Sequence, residues 1–216
     1  RGEDLSRYFR AGIPLAGPVS AVASLRVPPG GRFRVRGEFE IGEGGRFGPF
    51  PMTGGGAIRV DPDGLLAHVR GAQYAGGSLE ALVQLGRLKG PPLPVQIAVA
   101  GRGIDFETFF ADLGLPGTGL MSRADLDMTL TFGPGGAEHA DGSGMLRLVP
   151  SPGVPSAVRG RHALPVSGGG PLFVKDGAIR FPKTPFVTAG GVRTTLDGTL
   201  RIGTWEPDWE LTIDAP

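Results

Sequence analysis

The sequence contains no cysteine, which excludes a disulfide framework and thiolate metal sites. Histidine is scarce as well. The three residues His68, His139 and His162 are far apart and share no ligand spacing on one strand or helix. We therefore expect neither a metal site nor a cofactor.

The sequence also lacks a strong charge of either sign and a long apolar run. Its formal net charge of +1 leaves no uncompensated basic field, which argues against a nucleic-acid partner. No run of roughly 18 apolar residues occurs, so a membrane-spanning helix is not expected. The chain begins without methionine, and 209–214 resembles 95–100, which leads into a helix. We therefore expect an internal piece of a longer protein.

The dominant pattern is an apolar residue at every second position, which is typical of strands with one dry and one wet face. From Arg32 to Ile41 every second side chain is apolar, except at Gly37, and the others are charged. The 39 glycines and 21 prolines fall between such runs, as in the turn Asp61-Pro62-Asp63-Gly64. About a dozen short strands with tight reversals predict an all-β protein, an elongated antiparallel meander with short helices.

One helical segment stands out among the strands. Asp105 can cap its start, and Gly114 follows its end. The apolar residues at helical spacing between them are Phe106, Phe109, Phe110 and Leu113. A related segment lies at 4–9, which predicts a second short helix. The segment 150–170 has several prolines and three consecutive glycines, which predicts the longest loop.

Parts of the sequence occur twice. Gly-Ala-Ile-Arg stands at 56–59 and again at 177–180, and the helical pattern recurs at a similar spacing. A loose repeat of this length indicates a modular body rather than one globule around one active site. We predict about two repeats, 1–103 with its N-terminal helix and 104–216 with the second helix and the long loop.

Catalytic and ligand-binding motifs are poorly supported. The glycine-rich segments 101–103 and 114–119 do not continue into Gly-Lys-Ser/Thr, so phosphate binding is not predicted. The aspartates of the turn 61–64 lack further oxygen ligands at calcium-loop spacing. Asp125 and Asp127 alternate with apolar residues, which favours a solvated strand face over a carboxylate pair. We expect no enzyme activity.

The apolar rows have two interpretations that the pattern leaves open. Alternating strands most often bury their dry face in the core of a sandwich or barrel. However, aromatic residues make up only 7% of the chain, and the rows are similar from strand to strand. Core rows usually mix sizes to interdigitate, so similar rows are also compatible with the wall of a continuous groove.

Several segments together resemble the AsmA-like family, in particular its TamB (translocation and assembly module) β-domain. They are the helix with its Pro-Gly ends at 13–17 and 115–119, the strand 122–132, Gly76-Gly77-Ser78-Leu79, and the strand-glycine pairs Leu85-Gly86 and Ile202-Gly203. The resemblance covers nearly the whole chain through pattern and spacing.

The resemblance implies a β-sheet curled into a half-open groove, or β-taco, with an apolar interior. It implies a periplasmic location within a longer protein that is anchored in the inner membrane. The implied role is non-enzymatic transfer of phospholipid between the inner and outer membranes. It also implies docking to an outer-membrane BamA-like protein through regions that this chain does not include.

On this basis we predict which apolar residues line the groove. They are Phe33, Val35, Phe39, Ile41, Val95, Ile97, Val99, Leu126, Met128, Leu130, Phe132, Leu200, Ile202, Leu211 and Ile213. Two other functions fit the same pattern. One is a structural or adhesive β-repeat array with fully packed rows, and the other is an assembly factor that captures client strands of outer-membrane proteins on a sheet edge.

Overall fold

A computed structural model describes residues 15–29, 32–86, 94–115, 119–133, 136–151, 164–188 and 190–214. In this part of the chain there are fifteen strands, one α-helix and one short 3-10 helix, so the predicted all-β class is confirmed. The predicted helix at 4–9 lies outside the described residues.

The strands, in chain order, are β1 (Leu15–Ala16), β2 (Val19–Arg26), β3 (Arg34–Ile41), β4 (Arg46–Phe47), β5 (Phe50–Pro51), β6 (Thr53–Asp61), β7 (Gly64–Tyr74), β8 (Gly77–Leu85), β9 (Val95–Asp105), β10 (Leu120–Phe132), β11 (Ala140–Pro150), β12 (Leu164–Lys175), β13 (Ala178–Thr188), β14 (Arg193–Arg201) and β15 (Pro207–Asp214). The helix α1 (Phe106–Asp112) follows β9, and the 3-10 helix (Gly136–His139) precedes β11.

Twelve of the strands form one antiparallel sheet in the order β2-β3-β6-β7-β8-β9-β10-β11-β12-β13-β14-β15. Each strand pairs with its neighbours in sequence, apart from the excursion of β4 and β5, which form a small three-stranded sheet with β1. The edge strands β2 and β15 do not pair with each other, so the sheet is not closed into a barrel. The predicted antiparallel meander, curled and open, is confirmed.

Beyond the last residue of β11, the strands on either side of it meet directly. Its two neighbours, β10 and β12, meet each other in a short parallel pairing of Leu120 with Leu164 and Met121 with Pro165. The buried hydroxyl of Ser122 reinforces this contact, since it donates to the Val166 carbonyl at 2.6 Å and accepts from the Val166 amide at 3.2 Å. β10 and β12 are therefore joined past the end of the strand that separates them.

The predicted loop at 150–170 is wrong in its second part, because β12 already begins at Leu164. Gly168 and Gly169 lie inside this strand with φ of +142° and +134°, values that L side chains rarely adopt. A Cβ at Gly168 would collide with the Pro185 carbonyl, and one at Gly169 with the Leu146 carbonyl. The glycines therefore permit close strand approach at a register shift and do not mark a loop.

The repeated tetrapeptide occupies different positions in the two halves. Residues 56–59 lie within β6, whereas Gly177 belongs to the turn before β13 and only 178–180 enter that strand. The ladder between β9 and β10 also continues the sheet across the predicted boundary at 103/104. The division into two repeats therefore stays a prediction.

Helix α1 begins and ends as the sequence predicts. The carboxylate of Asp105 accepts hydrogen bonds from the Thr108 amide at 2.8 Å and from the Thr108 hydroxyl at 2.7 Å. Gly114 follows the helix with φ of +80°, the left-handed conformation that ends many helices. This short helix depends on its cap and on packing, because seven residues are too few to be stable alone.

The cap gives a first test. We expect Asp105→Ala to lower the free energy of unfolding by about 1 kcal/mol, since two hydrogen bonds to the first turn are lost. Asp105→Asn should retain most of the stability, because an asparagine oxygen can also cap. Urea titration of both variants measures the difference, and equal stability of Asp105→Ala and the parent chain would contradict this role.

Candidate functional site

The candidate site is the inner face of the curled sheet, where apolar residues align from strand to strand. The strand registers place one residue from each of the twelve strands in a single line, which we call the central row. Its members are Ala23, Gly37, Ile58, Ala67, Val83, Ile97, Leu130, Gly142, Val174, Ile179, Leu200 and Pro207. The central row therefore crosses the whole sheet without a polar side chain.

A second row runs beside it over nine strands, from β2 to β12. It consists of Ala21, Phe39, Gly56, Val69, Ala81, Val99, Met128, Gly144 and Leu172. Cross-strand neighbours of this kind have their Cβ atoms close enough for direct contact. The two rows together make a continuous apolar wall.

The wall differs in exposure between its two halves. In β3 and β6–β9, which we call the open half, row members such as Phe39, Val83 and Ile97 are half-buried. In β10–β14, the packed half, Leu130 and Leu200 are buried, the latter with only 1% exposure. The same alternation thus forms an accessible wall in one half and a core in the other.

The predicted lining residues fall into three groups by exposure. Those that are half-buried are Phe33, Val35, Phe39, Val95, Ile97, Val99, Leu126, Met128 and Ile202. Those that are buried in the core are Ile41, Leu130, Phe132 and Leu200. Leu211 and Ile213 are more than half exposed on the edge strand β15. Ile202 lies in the turn after β14, where its amide donates to the Gly177 carbonyl at 2.7 Å.

An aromatic cluster covers the packed half, and the sequence patterns did not predict it. It consists of Phe47, Phe50, Tyr74, Phe106, Phe109, Phe110, Phe181, Trp205 and Trp209. The ring of Phe110 on α1 lies 5.1 Å from Trp209 of β15, and that of Phe109 lies 5.5 Å from Phe50 of β5. Helix α1 thus lies between β15, at one edge of the large sheet, and β5 of the small sheet.

Direct contact between Phe50 and Trp205 shows how far the sheet curls, since their ring centroids are 4.9 Å apart. Phe50 precedes β6, whereas Trp205 lies in the turn between β14 and β15. Gly48 is required at this contact, because a Cβ there would lie 2.5 Å from the Trp205 indole nitrogen. The aromatic residues are separated by long stretches of sequence, so no local pattern signals their cluster.

One polar interaction fastens α1 to the sheet. The Tyr74 hydroxyl donates to the Asp112 carboxylate at 2.9 Å. Burial raises the pKa of the Tyr74 phenol well above its usual value, and the hydrogen bond and charge of Asp112 raise it further. Tyr74 therefore keeps its proton in the folded chain at pH values where a free tyrosine ionises.

This raised pKa predicts a loss of stability at alkaline pH. An unfolded tyrosine ionises near pH 10, whereas folded Tyr74 keeps its proton, so the folded state binds more protons above that pH. The contribution of Tyr74 is therefore complete below about pH 10 and falls as the pH rises. Urea unfolding from pH 8 to 11 should show a shallower decline for Tyr74→Phe than for the parent chain. Parallel declines would contradict this assignment.

The outer face of the sheet carries charged side chains beside exposed apolar ones, and several of its carboxylates have structural partners. Asp127 forms an ion pair with Arg102, and Asp125 accepts the Gly103 amide at 2.9 Å. Asp61 accepts from Arg59 at 2.9 Å, which lowers the pKa of this carboxyl, and it also accepts the amide of Asp63 at 3.1 Å within the turn. The carboxylates of these segments thus stabilise turns and strand contacts.

A shallow depression of about 620 Å³ also lies on the outer face, across β2, β3, β6 and β7. Its lining mixes arginines, namely Arg36, Arg59 and Arg70, with apolar side chains such as Val22 and Leu66, and Arg70 donates to His68 Nδ1 at 3.0 Å. The arginines distinguish this lining from the central row of the inner face, which has no polar side chain. We therefore take the inner face as the candidate site.

Among the residues that the structure describes, no group of three or more His, Asp or Glu residues could hold a metal ion. None of the helices in the described ranges is long and apolar enough to cross a membrane. Comparisons of the chain with protein-family models, with curated proteins and with solved structures found no match.

Proposed function

We propose that this chain is a non-enzymatic segment of a lipid-transfer protein whose inner face holds the acyl chains of phospholipid. The observation that supports this proposal most directly is the central row, which has no polar side chain in any of the twelve strands. A wall of this length exceeds what one ligand needs, and it is suited to a molecule that moves along it.

The dimensions of the open half fit acyl chains. β7 and β9 have 11 residues each, and an extended strand of that length spans roughly 36 Å at ~3.3 Å per residue. Each methylene of a lipid that leaves water for this wall contributes about 0.8 kcal/mol. Because the rows offer no fixed polar group to orient a ligand, they favour sliding over tight and specific binding.

The open half is the part that accepts lipid in this proposal. Val83 and Ile97 face each other across β8 and β9, and both are half-buried. In the packed half the equivalent positions already contact the core and the aromatic cluster. Lipid would therefore lie against β3 and β6–β9, with α1 beside it.

The cellular setting of the proposal comes from the resemblance to the AsmA-like family. We propose a periplasmic segment within a longer protein that is anchored in the inner membrane and carries phospholipid between the two membranes. Docking to an outer-membrane BamA-like protein would involve regions beyond this chain.

A second candidate, a structural β-repeat array, is favoured by the packed half. Leu172, Ile179 and Leu200 are buried there as in an ordinary core, with 1% exposure at Leu200. If the open half were covered in the same way by another part of the protein, its rows would also serve only stability. Lipid content distinguishes the two candidates.

The decisive experiment is native mass spectrometry of the purified chain, followed by lipid extraction and analysis under denaturing conditions. Phospholipid that co-purifies in a stoichiometric amount is the expected result. A chain that is free of lipid, and that takes up none from phospholipid vesicles although circular dichroism reports the same β-structure, would make the structural array the better account.

A further inference from the structure

The two edge strands of the sheet have complementary free edges. β2 and β15 have eight residues each. Among the described residues, neither pairs with another strand along the edge that faces away from the sheet. We propose that β15 of one copy of the chain pairs with β2 of a second copy, head to tail, so that the sheet and its apolar inner face continue from copy to copy. This proposal does not depend on lipid binding.

Strand direction permits this pairing. All neighbouring strands of the twelve-stranded sheet are antiparallel, so the first and last strands run in opposite directions. When a second copy continues the sheet with its inner face on the same side, its β2 therefore lies antiparallel to β15. The junction then has the same geometry as every other strand pair in the sheet.

On both free edges, the backbone N–H and C=O groups that point away from the sheet belong to residues whose side chains lie on the inner face. The Gly42 amide donates to the Pro18 carbonyl at 3.0 Å, so even-numbered residues of β2 direct their backbone groups toward β3. The Arg201 amide donates to the Glu206 carbonyl at 3.2 Å, so even-numbered residues of β15 point toward β14. On both free edges the available donors and acceptors thus belong to odd-numbered, inner-face residues.

This agreement limits which edges can pair. If the outward-pointing backbone groups belonged to inner-face residues on one edge and to outer-face residues on the other, the two strands could not pair and also keep their apolar side chains on one face. In the register that we propose, Ala23 would lie opposite Leu211, and Leu25 opposite Trp209. Leu25 is 67% exposed and Leu211 is 54% exposed, so the junction would cover apolar surface on both copies.

Charge favours the same register. Arg26 at the end of β2 lies directly opposite Arg34 of β3, a like-charge pair that is unfavourable on its own. Neither arginine forms an ion pair among the described residues, and the same holds for Asp208 and Glu210 of β15. The register that pairs Ala23 with Leu211 places Asp208 opposite Arg26.

A symmetric pairing of β15 with β15 is less favourable. β15 against β15 would bring the outer-face carboxylates of Asp208, Glu210 and Asp214 together, and like charges opposite each other are destabilising. The complementary edges therefore favour a heterologous contact, which builds an open series of copies rather than a closed dimer.

Cysteine cross-linking tests the register, because the chain has no cysteine of its own. In the proposed junction, outer-face Val22 lies opposite Thr212 in a pair without direct backbone hydrogen bonds, where side chains approach closely. Val22 is 81% exposed and Thr212 is exposed, so Val22→Cys and Thr212→Cys should both fold. Circular dichroism checks that they do.

Under mild oxidation, a mixture of the two single variants should give a band at twice the 22.4 kDa of the chain. On a denaturing, non-reducing gel each variant alone should give only the monomer band, because its copies pair without two cysteines opposite each other. The double variant in one chain should give a ladder of higher oligomers. Dimers in either single variant alone would show symmetric pairing and would overturn the proposal. No cross-link in the mixture would overturn it too, and would direct attention to a strand from elsewhere in the polypeptide or from a different protein.

A charge exchange provides a second measurement. Asp208→Arg in the Thr212→Cys chain should cause loss of the dimer band, because two arginines would then face each other across the junction. Adding Arg26→Asp to the Val22→Cys chain should restore the band. A dimer band of unchanged intensity in both experiments would overturn the proposed register. Lipid extraction from the parent chain is a separate assay, so failure of this proposal leaves the lipid result unaffected.

Discussion

Ile97→Glu is expected to abolish co-purification of phospholipid while the chain remains folded. Ile97 belongs to the central row in β9, and its side chain is half-buried on the inner face. A carboxylate there would place a charge in the path of the acyl chains, and burying it under lipid without a partner would cost several times the binding energy of a methylene. The measurement is the amount of phospholipid per chain after purification.

The matched control is Leu82→Glu on the neighbouring strand β8. Leu82 lies directly opposite Ala98, one position from Ile97, but it points to the outer face and is 40% exposed. This variant has the same change of charge and a similar change of volume, and we expect it to retain its lipid.

Stability separates an open wall from a closed core at the same position. In an open groove the carboxylate of Ile97→Glu can reach water. We therefore expect the free energy of unfolding to fall by only about 1 kcal/mol, because apolar contacts are lost. In a closed core the buried charge would unfold the chain. A folded Ile97→Glu variant with its full lipid content would contradict the proposed function.

The strands could be predicted from the sequence because the dry and wet faces of each strand determine the alternation of apolar and polar residues within it. Arg34, Arg36, Glu38 and Glu40 of β3 are exposed and the apolar residues between them are covered, as the alternation predicts. The cap of α1 was predictable for the same reason, since Asp105 and Thr108 lie within one turn. Short connections then predict antiparallel neighbours.

The local sequence patterns do not predict the curl of the sheet, which only the family resemblance implied, because the curl depends on contacts between distant residues. Phe50 meets Trp205 only when the sheet has turned far enough to bring β5 against the turn after β14. Nothing near either residue indicates its partner. The glycines of β12 led to the wrong prediction of a loop for a related reason. They let neighbouring strands approach closely, and the curl of the sheet determines where that approach occurs.

The division of the predicted lining residues follows from this curl. Val35 and Leu200 both lie on apolar alternating strands, yet Val35 is half-buried and Leu200 is almost completely buried. A groove and a core require the same alternation, because in both cases one face of the strand avoids water. Only the position of a residue along the curled sheet decides which of the two it serves.

The position of the core predicts the largest effect on stability. We expect Leu200→Ala to lower the free energy of unfolding by about 2–5 kcal/mol, the usual range for a leucine truncated in a packed core. Leu200 is 1% exposed and lies opposite Ile179 in the packed half. Urea denaturation measures the change.

Leu211→Ala on the adjacent strand β15 is the matched control. Leu211 faces the same side of the sheet as its partner Leu196, but it is 54% exposed at the free edge. We expect this variant to lose about 0.5 kcal/mol or less in the monomer. A small effect of Leu200→Ala, comparable to that of Leu211→Ala, would mean that the packed half is open in solution as well. Lipid binding would then extend to the whole sheet and not to β3 and β6–β9 alone.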